Sequence, residues 1–165
     1  LARYPGSFYI GPGRNRMVVQ NLSGVSGEPA QARLVISNVQ WQKINVSETL
    51  PVEFSVRRES FTSPNHAGVA HRYEGVLFND SDFDFARVDV VVVLSDDTGM
   101  IVGIGQTNMN TFLSRTERYF SVQWSKPISE KVADIHVEAL TNLFENENFI
   151  KRYGTQEEFQ KYYPE

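Results

Sequence analysis

The sequence predicts an all-β protein whose antiparallel strands form a sandwich or a barrel. Short runs of β-branched, aliphatic and aromatic residues follow one another along the chain, and turn residues separate them at intervals of about 8–15 residues. No long amphipathic helical pattern lies between these runs. The apolar run at residues 88–94 is too rich in valine to favour a helix. These observations together predict the fold class.

The most regular pattern covers residues 87–107 and predicts a central hairpin. Its first apolar run, 88–94, is interrupted only by Asp89, and the sequence Ser-Asp-Asp-Thr-Gly at 95–99 has the composition of a tight turn. The second apolar run begins at Met100. Within it, Gly103 and Gly105 indicate a bulge or a close approach of another backbone.

Other strands are predicted on both sides of this hairpin. Polar and apolar residues alternate at 51–61 and 69–79, as in half-buried antiparallel strands, and a phase shift at Gly75 indicates a bulge in the second of them. After the hairpin, residues 108–118 are predicted to be a connection. The last predicted strands are 119–124 and 131–140.

The two ends of the chain differ from this pattern. In the N-terminal part, strands are predicted at 8–10, 14–22 and 31–43, the last with a bulge near Asn38, and a polar linker follows at 44–50. In the C-terminal part, Thr155 and Glu158 match a capping box, which predicts one short helix ending before Pro164.

Composition excludes several classes of function. The net charge is −4 and the charges are interspersed, so no basic surface for nucleic acid is expected. The chain contains no cysteine, which excludes disulfides, cysteine nucleophiles and iron–sulfur clusters. No apolar run approaches the roughly 18–20 residues that a membrane span needs. Because the chain starts with Leu1 rather than methionine, we expect that a preceding portion of the protein is missing from it.

Asp80, Asp82 and Asp84 form the pattern that most resembles a metal site. Calcium binds several oxygens that converge from a loop. An EF-hand is excluded, because Phe85 and Val91 stand where its glycine and glutamate belong. A looser calcium site that also uses the aspartates at 96–97 stays open. The alternative is a solvated loop in which aspartates form local turns.

Nothing in the sequence predicts an active site. The three histidines, His66, His71 and His136, lack the spacing of metal ligands, and no Gly-x-Ser-x-Gly motif occurs. Carboxylates at residues 53, 59, 74 and 89 fall on alternating strands and are predicted to form the solvated face of a sheet rather than a glycosidase pair. We therefore predict that the protein is not an enzyme and needs no cofactor.

Five aromatic residues offer a second possible function. Planar rings on a sheet face can stack on sugars, whereas in a sandwich the same rings usually lie in the core. The residues in question are Trp41, Tyr73, Phe83, Phe85 and Trp124. Their exposure distinguishes a binding surface from a core.

From residue 73 onward the sequence resembles the FxLYD-type modules of bacterial and archaeal envelope proteins, which are immunoglobulin-like β-sandwiches. The resemblance covers about 50–70 residues and depends on structural motifs. Leu94-Ser95-Asp96 stands where the family often has Leu-Tyr-Asp, so Ser95 departs from the pattern. The matching residues are Gly75, Val76, Asn79, Gly99, Gly103, Thr107, Glu117 and Phe120.

The N-terminal part carries a second resemblance. Residues 8–44 are similar to the last strands of such a module in envelope proteins of candidate-phyla bacteria, which have an N-terminal membrane helix and two sandwiches in tandem; Trp41 matches the tryptophan of their last strand. This implies terminal strands of a partial first sandwich at 1–47, an immunoglobulin-like sandwich at 48–141, and a tail with a short helix at 142–165. Alternatively, the N-terminal strands pack on the second sheet and form one larger domain.

The resemblance implies a function outside the cytoplasm. We expect a non-catalytic module in the cell envelope or at the cell surface, which serves as a structural spacer or protein-interaction domain of a membrane-anchored bacterial protein. Its partners would be other envelope proteins or glycans, and it would meet the membrane only through an anchor in the missing N-terminal region. The alternative is a carbohydrate- or peptide-binding module that uses exposed aromatic residues.

Overall fold

The computed structural model describes residues 31, 33–41, 44–45, 52–64 and 68–154. The chain divides into two compact units, Leu1–Gln42 and Lys43–Glu165. Most of the described residues belong to the second unit, which holds the sheets.

The described part of the second unit contains two antiparallel three-stranded sheets. One sheet has the order β1-β2-β5 and the other has the order β4-β3-β6. The predicted all-β, sandwich-like architecture is therefore confirmed. The strands are β1 (Phe54–Thr62), β2 (His71–Asn79), β3 (Phe85–Ser95), β4 (Ile101–Phe112), β5 (Glu117–Trp124) and β6 (Asp134–Leu140), and a 3₁₀ turn (Leu143–Glu145) and helix α1 (Glu147–Tyr153) follow them.

The inward side chains of both sheets form one hydrophobic core. Strand β3 lies in the middle of its sheet, and every second residue of its valine run is fully buried in the core, because successive side chains of a strand point to opposite faces. The opposite sheet supplies aromatic and aliphatic side chains from β2 and β5. The central members of this core are Tyr73, Leu77, Val88, Val90, Val92, Leu94, Phe120 and Val122.

The two sheets approach each other most closely where β4 lies against β5. A β-carbon added at Gly105 would lie 2.2 Å from Cγ1 of Val122 and 2.8 Å from Cζ2 of Trp124. The indole Nε1 of Trp124 donates a hydrogen bond to the carbonyl of Ile104 at 3.0 Å. Gly105 is therefore a site of close contact, but side chains of β5 approach it rather than another backbone. The expected bulge also occurs in this hairpin, where the register of β3 and β4 shifts between Leu94 and Ser95.

A bulge occurs next to Gly75, but it lies in β1 and not in β2. β2 keeps a continuous register with β5 through Gly75, whereas β1 has one extra residue between Arg57 and Ser60. The apolar phase shift has a different cause. Phe78 lies on the outer face of β2, where the guanidinium of Arg57 covers its ring at 4.5 Å. In the sequence, an apolar residue on the solvated face of a strand shifts the alternation of polar and apolar residues in the same way as a bulge does.

Part of the predicted connection at 108–118 belongs to a strand. β4 pairs with β3 as far as Phe112, which lies opposite Phe85. Met109 and Phe112 are buried in the core, so continuing the strand brings two more apolar side chains out of water. The residues between them include asparagine, which outward positions of a strand tolerate. The alternation that would predict a strand is therefore interrupted in the sequence.

The predicted strand at 31–43 is not found in the described residues of the first unit. Residues 33–41 carry no strand, and Asn38 has a φ of 55°. Leu34 and Val35 are 63% and 70% exposed. The physical reason is that alternation of polar and apolar residues makes a strand possible, but a strand forms only where a second strand supplies hydrogen-bond partners for its backbone. The strands predicted at 8–10 and 14–22 lie outside the described residues.

A short helix does occur within the predicted tail at 142–165. Helix α1 begins after Asn146, whose side chain accepts a hydrogen bond from the backbone N–H of Phe149 at 2.9 Å. Phe149 is fully buried, and its ring lies 5.5 Å from that of Phe83. The helix therefore packs on the sandwich. The helix predicted after Thr155 lies outside the described residues.

We predict that Gly105→Ala destabilises the protein by about 1–3 kcal/mol, because the new methyl group forces β4 and β5 apart. Gly103→Ala is the matched control, since its β-carbon would meet only the flexible ends of Leu94 and Ile128, at 3.1 and 3.2 Å. Urea denaturation measures both variants. Equal losses would contradict the idea that the sheets depend on this contact.

Candidate functional site

Asn79 determines the shape of the loop that holds the candidate metal ligands. It is fully buried at the end of β2. Its Nδ2 donates to the carbonyls of Phe83 and Leu113, at 2.8 and 3.1 Å. Its Oδ1 accepts from the backbone N–H and the hydroxyl of Ser81, at 3.1 and 2.7 Å. One amide thus binds the loop that follows β2 and the segment that follows β4, and its two hydrogen bonds to Ser81 form an Asx-type turn.

The three aspartates of the loop have separate partners. Asp80 Oδ2 accepts from the hydroxyl of Ser55 at 2.6 Å. Asp82 forms an ion pair of 2.8 Å with Arg115. Asp84 Oδ1 accepts from the backbone N–H of Ser114 at 2.7 Å. The hydrogen bond and charge of Arg115 hold the pKa of the Asp82 carboxyl below its usual value.

Within the part of the chain that the structure describes, no three metal-ligating side chains converge. Asp80, Asp82 and Asp84 instead connect their loop to β1 and to the segment between β4 and β5. A calcium ion at this loop would have to replace these contacts. The local turn interpretation of the loop agrees with the geometry around Asn79.

The suggestion that Asp96 and Asp97 complete a calcium site is wrong. They follow the last residue of β3, whereas the loop of Asp80 to Asp84 precedes its first residue. Eleven residues of extended strand separate the two groups, a distance of about 35 Å. Two ends of one sandwich strand cannot bind the same ion.

Asp96 instead forms the turn between β3 and β4. Its Oδ1 accepts from the backbone N–H of Thr98 at 2.9 Å, from the Thr98 hydroxyl at 2.7 Å and from the N–H of Met100 at 2.9 Å. These hydrogen bonds, that of the Thr98 side chain above all, lower the pKa of Asp96. Gly99, with a φ of 81°, reverses the chain. The predicted turn at 95–99 is therefore confirmed.

The two described histidines have unrelated surroundings. His71 stacks on Phe61 at 5.5 Å, and its Nε2 accepts from the backbone N–H of Ile128 at 3.1 Å. It thus joins β2 to the segment that follows β5. His136 lies exposed on β6. His66 lies outside the described residues.

Most of the five predicted aromatic residues lie in the core. Tyr73, Phe83 and Phe85 are at most 5% exposed. Trp124 is half-buried against β4, to which its indole is hydrogen-bonded. Trp41 is 89% exposed but belongs to the first unit. In the second unit these residues therefore do not form an exposed platform for a sugar.

Tyr119 is an exposed aromatic residue that the sequence pattern did not single out. It lies on the outer face of β5 with 63% of its surface exposed. Its hydroxyl donates a hydrogen bond to the carboxylate of Glu74, and this bond raises the pKa of the phenol. Phe78 lies on the same face, but the guanidinium of Arg57 covers its ring. The alternative of a sugar-binding strip therefore gains only one uncovered ring from this face.

In the described sheets, β1 and β6 are the terminal strands on one side of the sandwich, and β4 and β5 are those on the other. Both sides carry apolar side chains that pack on the core and stay partly exposed, such as Val56 and Val137 on one side and Val102 and Trp124 on the other. Val122 of β5 is 3% exposed. The strand at 131–140 was predicted, but its place at an edge depends on sheet order, which periodicity does not reveal.

No family model, curated protein or solved structure matches this chain. Among the described residues, no helix has the length and apolar character needed to cross a lipid bilayer.

We predict that Asn79→Ala destabilises the protein by about 2–3 kcal/mol, because it leaves two carbonyls without their donor at the buried end of β2. Asn110→Ala, at an exposed position of β4, is the control and is expected to change little. Thermal and urea denaturation measure both. A small effect of Asn79→Ala would show that the loop does not depend on this amide.

A second prediction concerns acid stability. Because folding lowers the pKa of Asp96 below its ordinary 3.8, its carboxylate stabilises the fold above that pH. This contribution disappears as the pH falls through the lower folded value. Asp96→Asn should therefore be less stable than the wild type at neutral pH, and the difference should shrink below pH 3.8.

Denaturation between pH 2 and pH 7, roughly the range that includes both states of a carboxyl group, tests this dependence. Asp97→Asn removes a carboxylate from the same turn and serves as the control. A constant difference between Asp96→Asn and the wild type over the whole range would contradict the role assigned to the charge.

Proposed function

We propose that the chain is a non-catalytic, extracytoplasmic β-sandwich module that acts as a structural spacer or protein-interaction domain of a membrane-anchored bacterial protein. One observation carries the proposal: the aspartates whose pattern most resembles a metal site hold loops and turns of the sandwich together. Asp80 and Asp84 accept hydrogen bonds from Ser55 and Ser114, and Asp96 accepts within its own turn. Such a design provides a rigid body with surfaces for partners.

The strand order supports an immunoglobulin-like sandwich. In immunoglobulin domains, strands A, B and E share one sheet, and strands C′, C and F lie in the other. If the six strands are assigned in chain order as A, B, C, C′, E and F, the observed orders β1-β2-β5 and β4-β3-β6 follow. The position of strand G, beside β6, is not filled by any strand of the described residues.

The extracytoplasmic location depends on the resemblance to FxLYD-type modules. The residues that carry it have structural roles here, which is what motifs of a fold family require. Asn79 holds the loop after β2, Gly99 reverses the chain after β3, and Phe120 fills the core. These roles support the resemblance as one of fold, and the location comes with the proteins that carry such modules.

Cysteine labelling in cells tests the location. The chain contains no cysteine, so a new thiol is the only one within these residues, and the protein without the substitution, labelled in parallel, gives the background. Lys126→Cys lies in an exposed turn after β5. We expect a maleimide that cannot cross membranes to label this thiol in intact cells, because the module would lie outside the cytoplasm.

Val92→Cys, at a fully buried position, is the matched control and should react only after denaturation. If the Lys126→Cys thiol reacts only after the cells are lysed, the extracytoplasmic proposal is wrong. If both thiols react equally in intact cells, the protein is not folded as a sandwich there.

A further inference from the structure

Both ends of the described sandwich lie on the side that carries the loop of Asn79. β1 begins at Phe54, which pairs with Asn79 at the end of β2. β6 runs toward the start of β3 and ends at Leu140, which pairs with Asp89. Successive strands alternate in direction along the chain, so the six described strands return it to the end where the first one began.

A short antiparallel contact closes this end of the sandwich. Ile44 forms an isolated bridge with Gly154, and the backbone N–H of Asn45 donates a hydrogen bond to the carbonyl of Tyr153 at 2.6 Å. We call these four residues the clasp. One half of the clasp precedes β1, and the other half follows from helix α1. The chain before Ile44 and the chain after Gly154 are therefore joined to the sandwich at one place.

Helix α1 carries the second half of the clasp and is held to the sandwich mainly by aromatic rings. The rings of Phe149 and Tyr153 lie 5.5 Å and 6.1 Å from the ring of Phe83. Asn146 Nδ2 donates a hydrogen bond to the carbonyl of Asp84 at 2.7 Å. By contrast, β1 and β6 are each joined to a neighbouring strand by backbone pairing along their length. The clasp and α1 thus have fewer contacts to lose than a strand has.

We propose that the clasp makes residues 44–154 a side branch of the chain, and that tension along the chain opens the clasp and releases α1 before any strand separates. A spacer in line with the chain is attached at opposite ends, and the eleven residues of β3 would then add about 35 Å. A side branch adds almost no length. The inference rests on the proposed function and favours its interaction role over its spacer role.

The order of opening follows from the position of the clasp. Tension from either side of the chain reaches the clasp before it reaches β1 or β6, because the clasp lies between the attachment points and these strands. Opening it breaks the hydrogen bond of Asn45 and undocks Phe149. Phe83 and Phe149 are at most 5% exposed while the clasp is closed. Tension would thus make apolar surface accessible without unfolding the sheets.

Pulling single molecules of the full chain with optical tweezers tests this order. The chain has no cysteine, so Trp41→Cys and Glu165→Cys supply the two attachment points for DNA handles. Trp41 is 89% exposed, and both positions lie outside residues 44–154. We expect two steps as the force rises: release of the clasp and α1, and then unfolding of the sandwich.

The gain in length distinguishes a side branch from a spacer in line with the chain. Complete unfolding should lengthen the tether by about 380 Å, because about 110 residues span roughly 3.5 Å each and the folded attachment points nearly coincide. Attachment at opposite ends would reduce this gain by about 35 Å, roughly the length of β3. The first step should contribute about 40–80 Å, since about a dozen residues leave with α1 and up to about ten more precede β1.

Two matched variants separate the steps. Phe149→Ala should abolish the first step, because α1 loses its buried side chain. Met109→Ala, which truncates a core residue of β4, should lower the force of the second step and leave the first unchanged. If Phe149→Ala does not fold, Asn146→Ala replaces it, because it removes the helix cap and the donor to Asp84. Circular dichroism confirms the folding of each variant.

Three results overturn the inference. They are unfolding of the wild type in one step, a first step that a folded Phe149→Ala or Asn146→Ala variant leaves unchanged, and a total gain shorter by the length of a strand. The two expected steps, the full gain and the selective effects of the variants support it. Pulling uses purified protein, so its result does not alter the labelling of Lys126→Cys in cells, and the two proposals can fail separately.

Discussion

The sandwich depends on the contact between β4 and β5 at Gly105. The position opposite Val122 and Trp124 has no space for a β-carbon, so the missing side chain is what lets the sheets close on this side. The indole of Trp124 then reaches the carbonyl of Ile104 and joins the two sheets. Val88, Val90 and Val92 of β3 are buried as a consequence, because the opposite sheet lies close enough to cover them.

The loop end of the sandwich depends on a different kind of interaction. Asn79 is a buried polar residue whose donors and acceptor are satisfied by two chain segments, the loop after β2 and the segment after β4. Buried amides of this kind specify one conformation, since any rearrangement leaves polar groups without partners. Phe83 belongs to the same loop, and its ring packs against the ring of Phe149 in helix α1. The C-terminal segment thus becomes part of the fold through the loop whose aspartates resemble a metal site in the sequence.

The sequence predicted structural features that arise between neighbouring residues, but it did not predict those that join residues distant in the chain. The hairpin of β3 and β4 and its turn at Asp96 follow from neighbouring residues, and the structure confirms them. At Gly105 the sequence indicated a close contact but not that side chains of β5 make it. Sheet order joins residues that are distant in the chain, so alternation predicted β6 but not its place at an edge. For the same reason, the sequence grouped Asp96 with the loop aspartates, although β3 separates them.

The two sides of the sandwich contribute differently to its packing. On one side, Gly105 lets β4 and β5 approach until Val122 is buried. On the other side, Val56 of β1 and Val137 of β6 pack on the core and stay partly exposed. The tight packing of the two sheets therefore depends on the side where Gly105 leaves room for Val122 and Trp124.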